Sequence, residues 1–162
     1  YFDISAVGEP RGPMKRNNMK RTVDENGKLC FSIRSGGKTY TYYEDTPVYP
    51  SDVWADIEHM HQRDPERTGY ATQKPEALLR RIISASCPEG GLVADLFGGS
   101  GSTLMACEQT DRICRTMELD PKYATAIVMR FANEYGTENI RLLRNGEELP
   151  YGAVVPQKDE HE

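Results

Sequence analysis

Apolar residues recur at helical spacing in two segments in the second half of the chain. The first follows Pro75 and ends before Pro88, and the second lies between the predicted N-cap Asp120 and the predicted C-cap Gly136. A period of 3.6 residues predicts an amphipathic helix in each segment. The residues predicted to face the core are Leu78, Leu79, Ile82, Ile83 and Ala85 in the first helix, and Tyr123, Ala124, Ile127, Val128 and Phe131 in the second.

Short apolar strands alternate with these helical segments. Residues 92–96 and 113–117 are predicted strands with a helix at 104–109 between them, and residues 140–143 form a third strand before an Asn145-Gly146 hairpin turn. Right-handed crossovers would lay about three strands parallel with helices on the faces of the sheet. The pattern therefore predicts an α/β fold whose ligand lies at the carboxyl ends of the strands.

The first seventy residues follow a different pattern. Residues 1–21 show no regular period and are predicted to form a loop, whereas 29–33 and 38–43 are rich in β-formers and predict a hairpin. Residues 45–70 form a connector. We accordingly predict an N-terminal extension over 1–70, an α/β half-domain over 71–155 and a disordered polar tail over 156–162.

A glycine-rich turn between the first two strands carries the clearest chemistry. Gly99 and Gly101 would let the backbone approach a ligand without a Cβ in the way, and the following helix points free N–H groups at the same place. A dinucleotide fingerprint would need glycine where Leu104 stands, and a phosphate-cradling loop would need a lysine that is absent. Glu118, at the end of the next strand, is placed to accept hydrogen bonds from two ribose hydroxyls. This arrangement favours a nucleoside ligand without a pyrophosphate.

Three sequence blocks together carry a resemblance to a known family. They are residues 72–75 (Thr-Gln-Lys-Pro), 95–103 around Phe97-x-Gly99-x-Gly101, and 117–121 (Met-Glu-Leu-Asp-Pro). In this order and spacing, residues 56–135 resemble the S-adenosylmethionine-binding half of the amino-type DNA methyltransferases, most of all the phage and restriction-modification members. These enzymes methylate the exocyclic amine of adenine or cytosine.

The resemblance implies a Rossmann-like methyltransferase fold and S-adenosylmethionine as cofactor. It places residues 72–74 at the carboxylate end of the cofactor, Asp95 near the ammonium, Glu118 on the ribose and Leu119 or Asp120 beside the adenine. The family has proline where this chain has Leu96. The cofactor-binding residues that it implies are Thr72, Gln73, Lys74, Asp95, Phe97, Gly99, Gly101, Ser102, Glu118 and Leu119.

A further block of the family is missing from these 162 residues. In the family, an (Asp/Asn/Ser)-Pro-Pro-aromatic block holds the target amine, but this sequence contains no Pro-Pro pair and therefore no predicted catalytic residue. The resemblance places that block before Tyr1, and the chain does not begin with methionine. The resemblance therefore implies a fragment: the cofactor half, preceded over residues 1–70 by the end of a target-recognition region and a connector. We expect its exposed apolar sheet edge to pair with a missing N-terminal catalytic half or with a second copy of the chain.

Charge is distributed unevenly along the chain. The net charge is −5, yet residues 10–40 hold eight lysines and arginines against two acids. Such a basic segment favours DNA as partner, or it is a solvated charged loop. The tyrosines interleaved with it could stack on bases or could pack as one face of the hairpin. The predicted DNA-binding residues are Arg11, Lys15, Arg16, Lys20, Arg21 and Lys38.

Several classes of function find no support in the sequence. No apolar run is long enough to span a membrane, and the four cysteines form no Cys-x-x-Cys pair, so we expect a cytoplasmic protein without a metal site. Three interpretations stay open: a DNA amino-methyltransferase, a non-catalytic or split-subunit module, and an RNA or small-molecule methyltransferase. The block at residues 72–75 argues against the third. The choice between adenine and cytosine and the recognition sequence cannot be predicted.

Overall fold

The computed structural model describes residues 1–10, 19–50 and 52–153, which form three α-helices and nine strands. The helices are α1 (Glu76–Ser86), α2 (Ser102–Glu108) and α3 (Pro121–Tyr135). The strands are β1 (Glu9–Pro10), β2 (Lys20–Val23), β3 (Leu29–Ser35), β4 (Lys38–Tyr43), β5 (Pro47–Val48), β6 (Leu92–Asp95), β7 (Ile113–Thr116), β8 (Arg141–Arg144) and β9 (Glu147–Pro150). No helix in the described ranges is long and apolar enough to cross a membrane.

The predicted α/β unit is present and centres on two parallel strands. β6 pairs with β7 from Leu92 opposite Ile113 to Asp95 opposite Thr116. Alternate residues of each strand point toward the same side, and one of the two faces formed in this way packs against α1 and α2. The core cluster on that side comprises Ile83, Ala106 and Cys107, with Leu79, Cys87, Val93 and Cys114 packed against it.

The opposite face of the β6–β7 pair is exposed and mostly apolar, with Arg115 as its charged residue. Leu92 and Leu96 are 65% and 62% exposed, and Ile113 and Met117 are 48% and 64% exposed. In a doubly wound α/β fold both faces of the parallel sheet are covered. This face is therefore the apolar surface that a covering element would bury.

The prediction of a third parallel strand is wrong for the described residues. β8 pairs only with β9, antiparallel, in a sheet separate from β6 and β7. Asn145 and Gly146 both have positive φ, 53° and 81°, which is the geometry of a tight two-residue hairpin turn. The predicted turn is thus confirmed, and it gives β8 a local partner.

The N-terminal hairpin is confirmed, but it belongs to a larger sheet. β3 and β4 pair from Cys30 opposite Tyr43 to Ser35 opposite Lys38, and β2 adds a third antiparallel strand. The loop prediction for residues 1–21 is therefore wrong at β1 and at Lys20 and Arg21 in β2. The turn between β2 and β3 is stabilised by Asp24, whose carboxylate accepts hydrogen bonds from the amides of Asn26 and Lys28.

The helices begin and end close to their predicted limits. Asp120 caps α3 by accepting the amide of Lys122 at 2.8 Å, and Gly136, with φ 82°, ends it. Ile127 is buried as expected, whereas Val128 in α3 and Ile82 in α1 are 40% and 43% exposed, so their assignment to the core is wrong. The buried side of α3 is narrow because it packs on the glycine-rich turn and not on a broad sheet face. The predicted tail, residues 156–162, lies outside the described residues.

Candidate functional site

The glycine-rich turn connects the carboxyl end of β6 to α2. The Asp95 carboxylate accepts the amide of Phe97 at 3.0 Å, and the amide of Gly98 donates to the carbonyl of Met117 at 2.7 Å. Gly99 and Gly101 have φ angles of 54° and 78°, in the left-handed region that glycine adopts readily. Two positive φ values so close together turn the chain sharply between strand and helix.

Glu118 ties the two strand ends together. Its carboxylate accepts the amide of Gly99 at 2.7 Å and the amide of Asp120 at 2.9 Å. These two N–H groups, that of Asp120 foremost, hold the pKa of Glu118 below its usual value, because they stabilise the ionised form. A third backbone N–H, that of Leu119, acts on the carboxylate in the same direction. A carboxylate offers about four lone-pair positions, so these bonds do not use all of them.

The lowered pKa predicts how acid affects the turn. A group whose pKa is lower in the folded than in the unfolded chain stabilises the fold above its unfolded value, about 4.3 for glutamate, and loses that effect as the pH falls through the folded value. Urea unfolding between pH 3 and pH 7 should therefore show a smaller acid-induced loss of stability in Glu118→Gln than in the wild type. Glu147→Gln, in an exposed strand, is the matched control. Equal pH dependence in wild type and Glu118→Gln would contradict the role of this carboxylate.

A cavity of about 250 Å³ lies beside the glycine-rich turn. It brings together the 72–74 block and the turn, which stand more than twenty residues apart in the sequence. Seven of the ten predicted cofactor-binding residues line it: Thr72, Gln73, Lys74, Asp95, Phe97, Gly99 and Ser102. Its other lining residues are Tyr70, Leu79, Gly98, Ser100 and Thr103.

The remaining three predicted residues lie outside the cavity lining. Glu118 accepts the amide of Gly99, and the next residue, Leu119, is 98% exposed. A Cβ on Gly101 would stand 3.1 Å from two side-chain carbons of Ile127. The absence of a side chain at Gly101 therefore serves packing against α3, while its backbone N–H donates to the carbonyl of Gly98 in the turn at 2.8 Å.

Tyr70 is a cavity residue that was absent from the predicted site. A Cβ on Gly99 would stand 3.0 Å from a ring carbon of Tyr70, so the ring lies directly on the turn. The ring also meets Tyr123 edge-on, with centroids 4.7 Å apart. Its position just before the 72–74 block was the available signal. Tyr70 thus closes one side of the cavity and links it to α3.

The 72–74 block is held by its own short-range bonds. The amide group of Gln73 accepts from the backbone N–H and hydroxyl of Thr68, at 2.9 and 2.8 Å, and donates to the carbonyl of Glu66 at 2.6 Å. The Lys74 ammonium donates to the carbonyl of Thr72 at 2.5 Å. Because an ammonium carries three donors, Lys74 keeps two for a ligand, whereas the Gln73 side chain is largely committed to the turn.

A buried polar network beneath the cavity was also missed by sequence reasoning. Glu76 forms an ion pair with Arg130 and accepts from the Gln109 amide at 2.6 Å. Arg130 also donates to the carbonyl of Ser100 at 3.0 Å and to the hydroxyl of Ser102 at 3.3 Å. The signal available in the sequence was a charged residue next to the apolar stripe of each helix.

The predicted DNA-binding residues do not share one face. Arg21 pairs opposite Phe31 and Lys38 opposite Ser35, so Arg21 and Lys38 lie on the same face of the β2–β3–β4 sheet. Lys20 pairs opposite Ser32 and lies on the other face. Arg11, Lys15 and Arg16 lie outside the described residues. Among the described residues, no group of three or more histidine, cysteine or acidic side chains is arranged to hold a metal ion.

Comparison with known proteins gives consistent matches. The model of a family described as DNA methylase matches residues 6–129. The Type II methyltransferase M.HpaI of Haemophilus parainfluenzae is 36% identical over 140 residues, which cover 83% of this chain and 44% of that protein. M.ScaI of Streptomyces caespitosus is 30% identical over 138 residues, covering 83% of this chain and 39% of that protein. This chain therefore spans less than half the length of these two relatives.

Solved structures also match part of the chain. The crystal structure of the M1.HpyAVI-SAM complex has 34% sequence identity and a TM-score of 0.41, and the match covers 41% of this chain and 33% of that chain.

Proposed function

Because this chain belongs to the DNA methylase family, we propose that it binds S-adenosylmethionine for methyl transfer to the exocyclic amino group of adenine or cytosine in DNA. The observation that carries the proposal is the cavity that joins the 72–74 block to the glycine-rich turn. S-adenosylmethionine supplies the methyl group when bound. The residues of this chain bind and orient it.

The chemistry of the cavity suits such a cofactor. The amino-acid part carries a carboxylate and an ammonium, and the cavity offers the Lys74 ammonium and the Asp95 carboxylate to them. We propose that Glu118, which adjoins the turn through its bond to the amide of Gly99, accepts hydrogen bonds from the ribose hydroxyls. Ligand pockets usually measure about 300–1,000 Å³, so part of the molecule would extend over Phe97 and Leu119, which are 88% and 98% exposed.

Titration calorimetry with S-adenosylhomocysteine tests cofactor binding. The wild-type chain should bind, and Glu118→Ala should weaken binding about tenfold or more, because it removes charge-assisted hydrogen bonds to the ribose. Glu147→Ala, a change of the same kind in an exposed strand, should leave the affinity unchanged. Equal affinities of wild type and Glu118→Ala would disprove the ribose assignment, and absence of binding by the wild type would argue against the cofactor site.

A second candidate function keeps the cofactor site but not the reaction. The sequence has no Pro-Pro-aromatic block to hold the target amine, which favours a chain that binds cofactor or DNA and depends on residues outside it for catalysis. We propose that such residues belong to the rest of a longer protein or to a separate subunit. Adding a separately produced polypeptide that carries the block should restore methyl transfer in either case.

We further propose that the β2–β3–β4 sheet contacts the DNA backbone. Arg21 and Lys38 share a face with two tyrosines, Tyr40 and Tyr42, which offers charge for phosphates and rings for bases. In fluorescence anisotropy with duplex DNA, Arg21→Gln and Lys38→Gln should each reduce the slope of log affinity against log salt by about 1. Arg144→Gln, an exposed arginine in β8, should leave the slope unchanged. An unchanged slope in the first two variants would mean that this face is only solvated.

A further inference from the structure

We infer that the ion pair between Glu76 and Arg130 is a positioning device that fixes the two walls of the cavity relative to each other. The inference rests on the proposed cofactor site and adds residues that do not line this cavity. One wall is the 72–74 block, which leads directly into α1, and the other is the glycine-rich turn. The pair joins α1 to α3 across 54 residues of sequence.

The pair is almost completely shielded from water. The Glu76 and Arg130 side chains are 7% and 11% exposed. Both carboxylate oxygens of Glu76 are engaged, one by Arg130 and the other by the amide of Gln109 at 2.6 Å and by the more distant Arg80 guanidinium at 3.7 Å. A carboxylate fixed at both oxygens and buried with its partner has a single well-defined position.

On the side of the turn, Arg130 acts on the backbone. One guanidinium nitrogen donates to the carbonyl of Ser100 at 3.0 Å and to the hydroxyl of Ser102 at 3.3 Å. A peptide unit is planar and trans, so fixing the carbonyl of Ser100 also fixes the direction of the N–H of Gly101. That N–H closes the turn by donating to the carbonyl of Gly98 at 2.8 Å. Arg130, held in place by Glu76, therefore constrains the backbone of the turn that lines the cavity.

On the other side, Glu76 anchors the 72–74 block. It follows Pro75 directly and is the first residue of α1. Its amide donates to the Glu66 carboxylate at 2.9 Å, and the Gln73 amide group donates to the carbonyl of the same Glu66 at 2.6 Å. A shift of Glu76 would therefore move Gln73 and, next to it, Lys74 relative to the turn.

Stability alone does not account for such a pair. A buried ion pair can often be replaced by apolar residues of similar volume without loss of stability, because desolvation offsets the attraction, whereas loss of one partner is costly. The guanidinium also presents a rigid fork of donors that reaches several acceptors at once, which an apolar pair cannot do. These two properties make it possible to separate positioning from stability by experiment.

The test compares the double variant Glu76→Met/Arg130→Met with the wild type. The double variant should unfold at the wild-type temperature or above it. Amide hydrogen exchange at Gly98, Gly99 and Gly101, measured by NMR, should be at least tenfold faster, and S-adenosylhomocysteine should bind about tenfold more weakly. The matched control removes an exposed ion pair whose residues do not line the cavity, Lys28→Met/Asp45→Met, and should change neither the exchange at the turn nor the affinity.

Each result decides the inference. Wild-type exchange and wild-type affinity in a folded double variant would overturn it. If the double variant does not fold, Arg130→Lys replaces it, since lysine keeps the charge but cannot reach Glu76 and Ser100 together; wild-type exchange at the turn would then overturn the inference. If the wild type binds no S-adenosylhomocysteine, the proposed cofactor site fails. Exchange at the turn then decides the positioning role by itself: faster exchange in the double variant than in the wild type supports it, and unchanged exchange rejects it.

Discussion

The purified 162-residue chain is expected to transfer no methyl group from S-adenosylmethionine to duplex DNA, even where it binds the cofactor. Methyl transfer from a sulfonium requires the lone pair of the target amine to be aligned with the methyl carbon. Such alignment contributes up to about 7–11 kcal/mol to a reaction between two molecules. The groups that line the cavity suit the cofactor. The 162 residues contain no Pro-Pro-aromatic block that could hold a flipped base beside it.

The measurement is transfer of radiolabelled methyl to mixed-sequence duplex DNA, with the Gly101→Val variant as the background. Calorimetry with S-adenosylhomocysteine on the same preparation distinguishes a chain that lacks an amine site from a sample that has no cofactor site. Turnover above the Gly101→Val background would show that these 162 residues contain amine-binding groups. The assignment of the chain to the cofactor half alone would then be wrong.

The strand, turn and helix around Asp95 could be predicted because each signal is local. The apolar run before Asp95, the alternate glycines and the helical run after Ser102 need no information from distant residues. The same holds for α3, whose start at Asp120-Pro121 and end at Gly136 follow from capping chemistry. These elements form one wall of the cavity; the other wall, at residues 70–74, was implied for 72–74 by the family resemblance and was not predicted for Tyr70.

The pairing of strands could not be predicted in the same way. A strand at 140–143 is apolar enough for a parallel sheet, but which partner it takes depends on the elements that compete for it. In the described structure β8 pairs through its own tight turn with β9. Likewise, the opposite directions of Lys20 and Arg21 follow only once the register with β3 is known.

The ion pair between Glu76 and Arg130 shows the same limit in the interior. Each residue alone is a charged residue on an amphipathic helix, which usually means a solvent-exposed position. Their partnership spans 54 residues of sequence and depends on how α1 and α3 approach the turn. Local patterns therefore identified the elements around the cavity but not the contacts that fix their spacing.

Replacing Gly101 by alanine is expected to lower the free energy of unfolding by roughly 2–5 kcal/mol. Two causes add. Gly101 has a φ of 78°, which costs an alanine roughly 1–2 kcal/mol. The new Cβ would also stand 3.1 Å from Cγ1 and Cγ2 of Ile127, and overpacking of this kind costs about 1–3 kcal/mol more. The measurement is urea unfolding followed by circular dichroism.

Gly146 provides the matched control, since it separates the two causes. Its φ of 81° is nearly the same as that of Gly101, but a Cβ there meets no atom within 4 Å. Gly146→Ala should therefore cost only the backbone strain, roughly 1–2 kcal/mol. A double-mutant cycle of Gly101→Ala with Ile127→Ala should show a coupling energy beyond about 0.5 kcal/mol, because the two residues are in contact. Equal costs for Gly101→Ala and Gly146→Ala, with no coupling to Ile127, would mean that α3 does not pack on the turn as described.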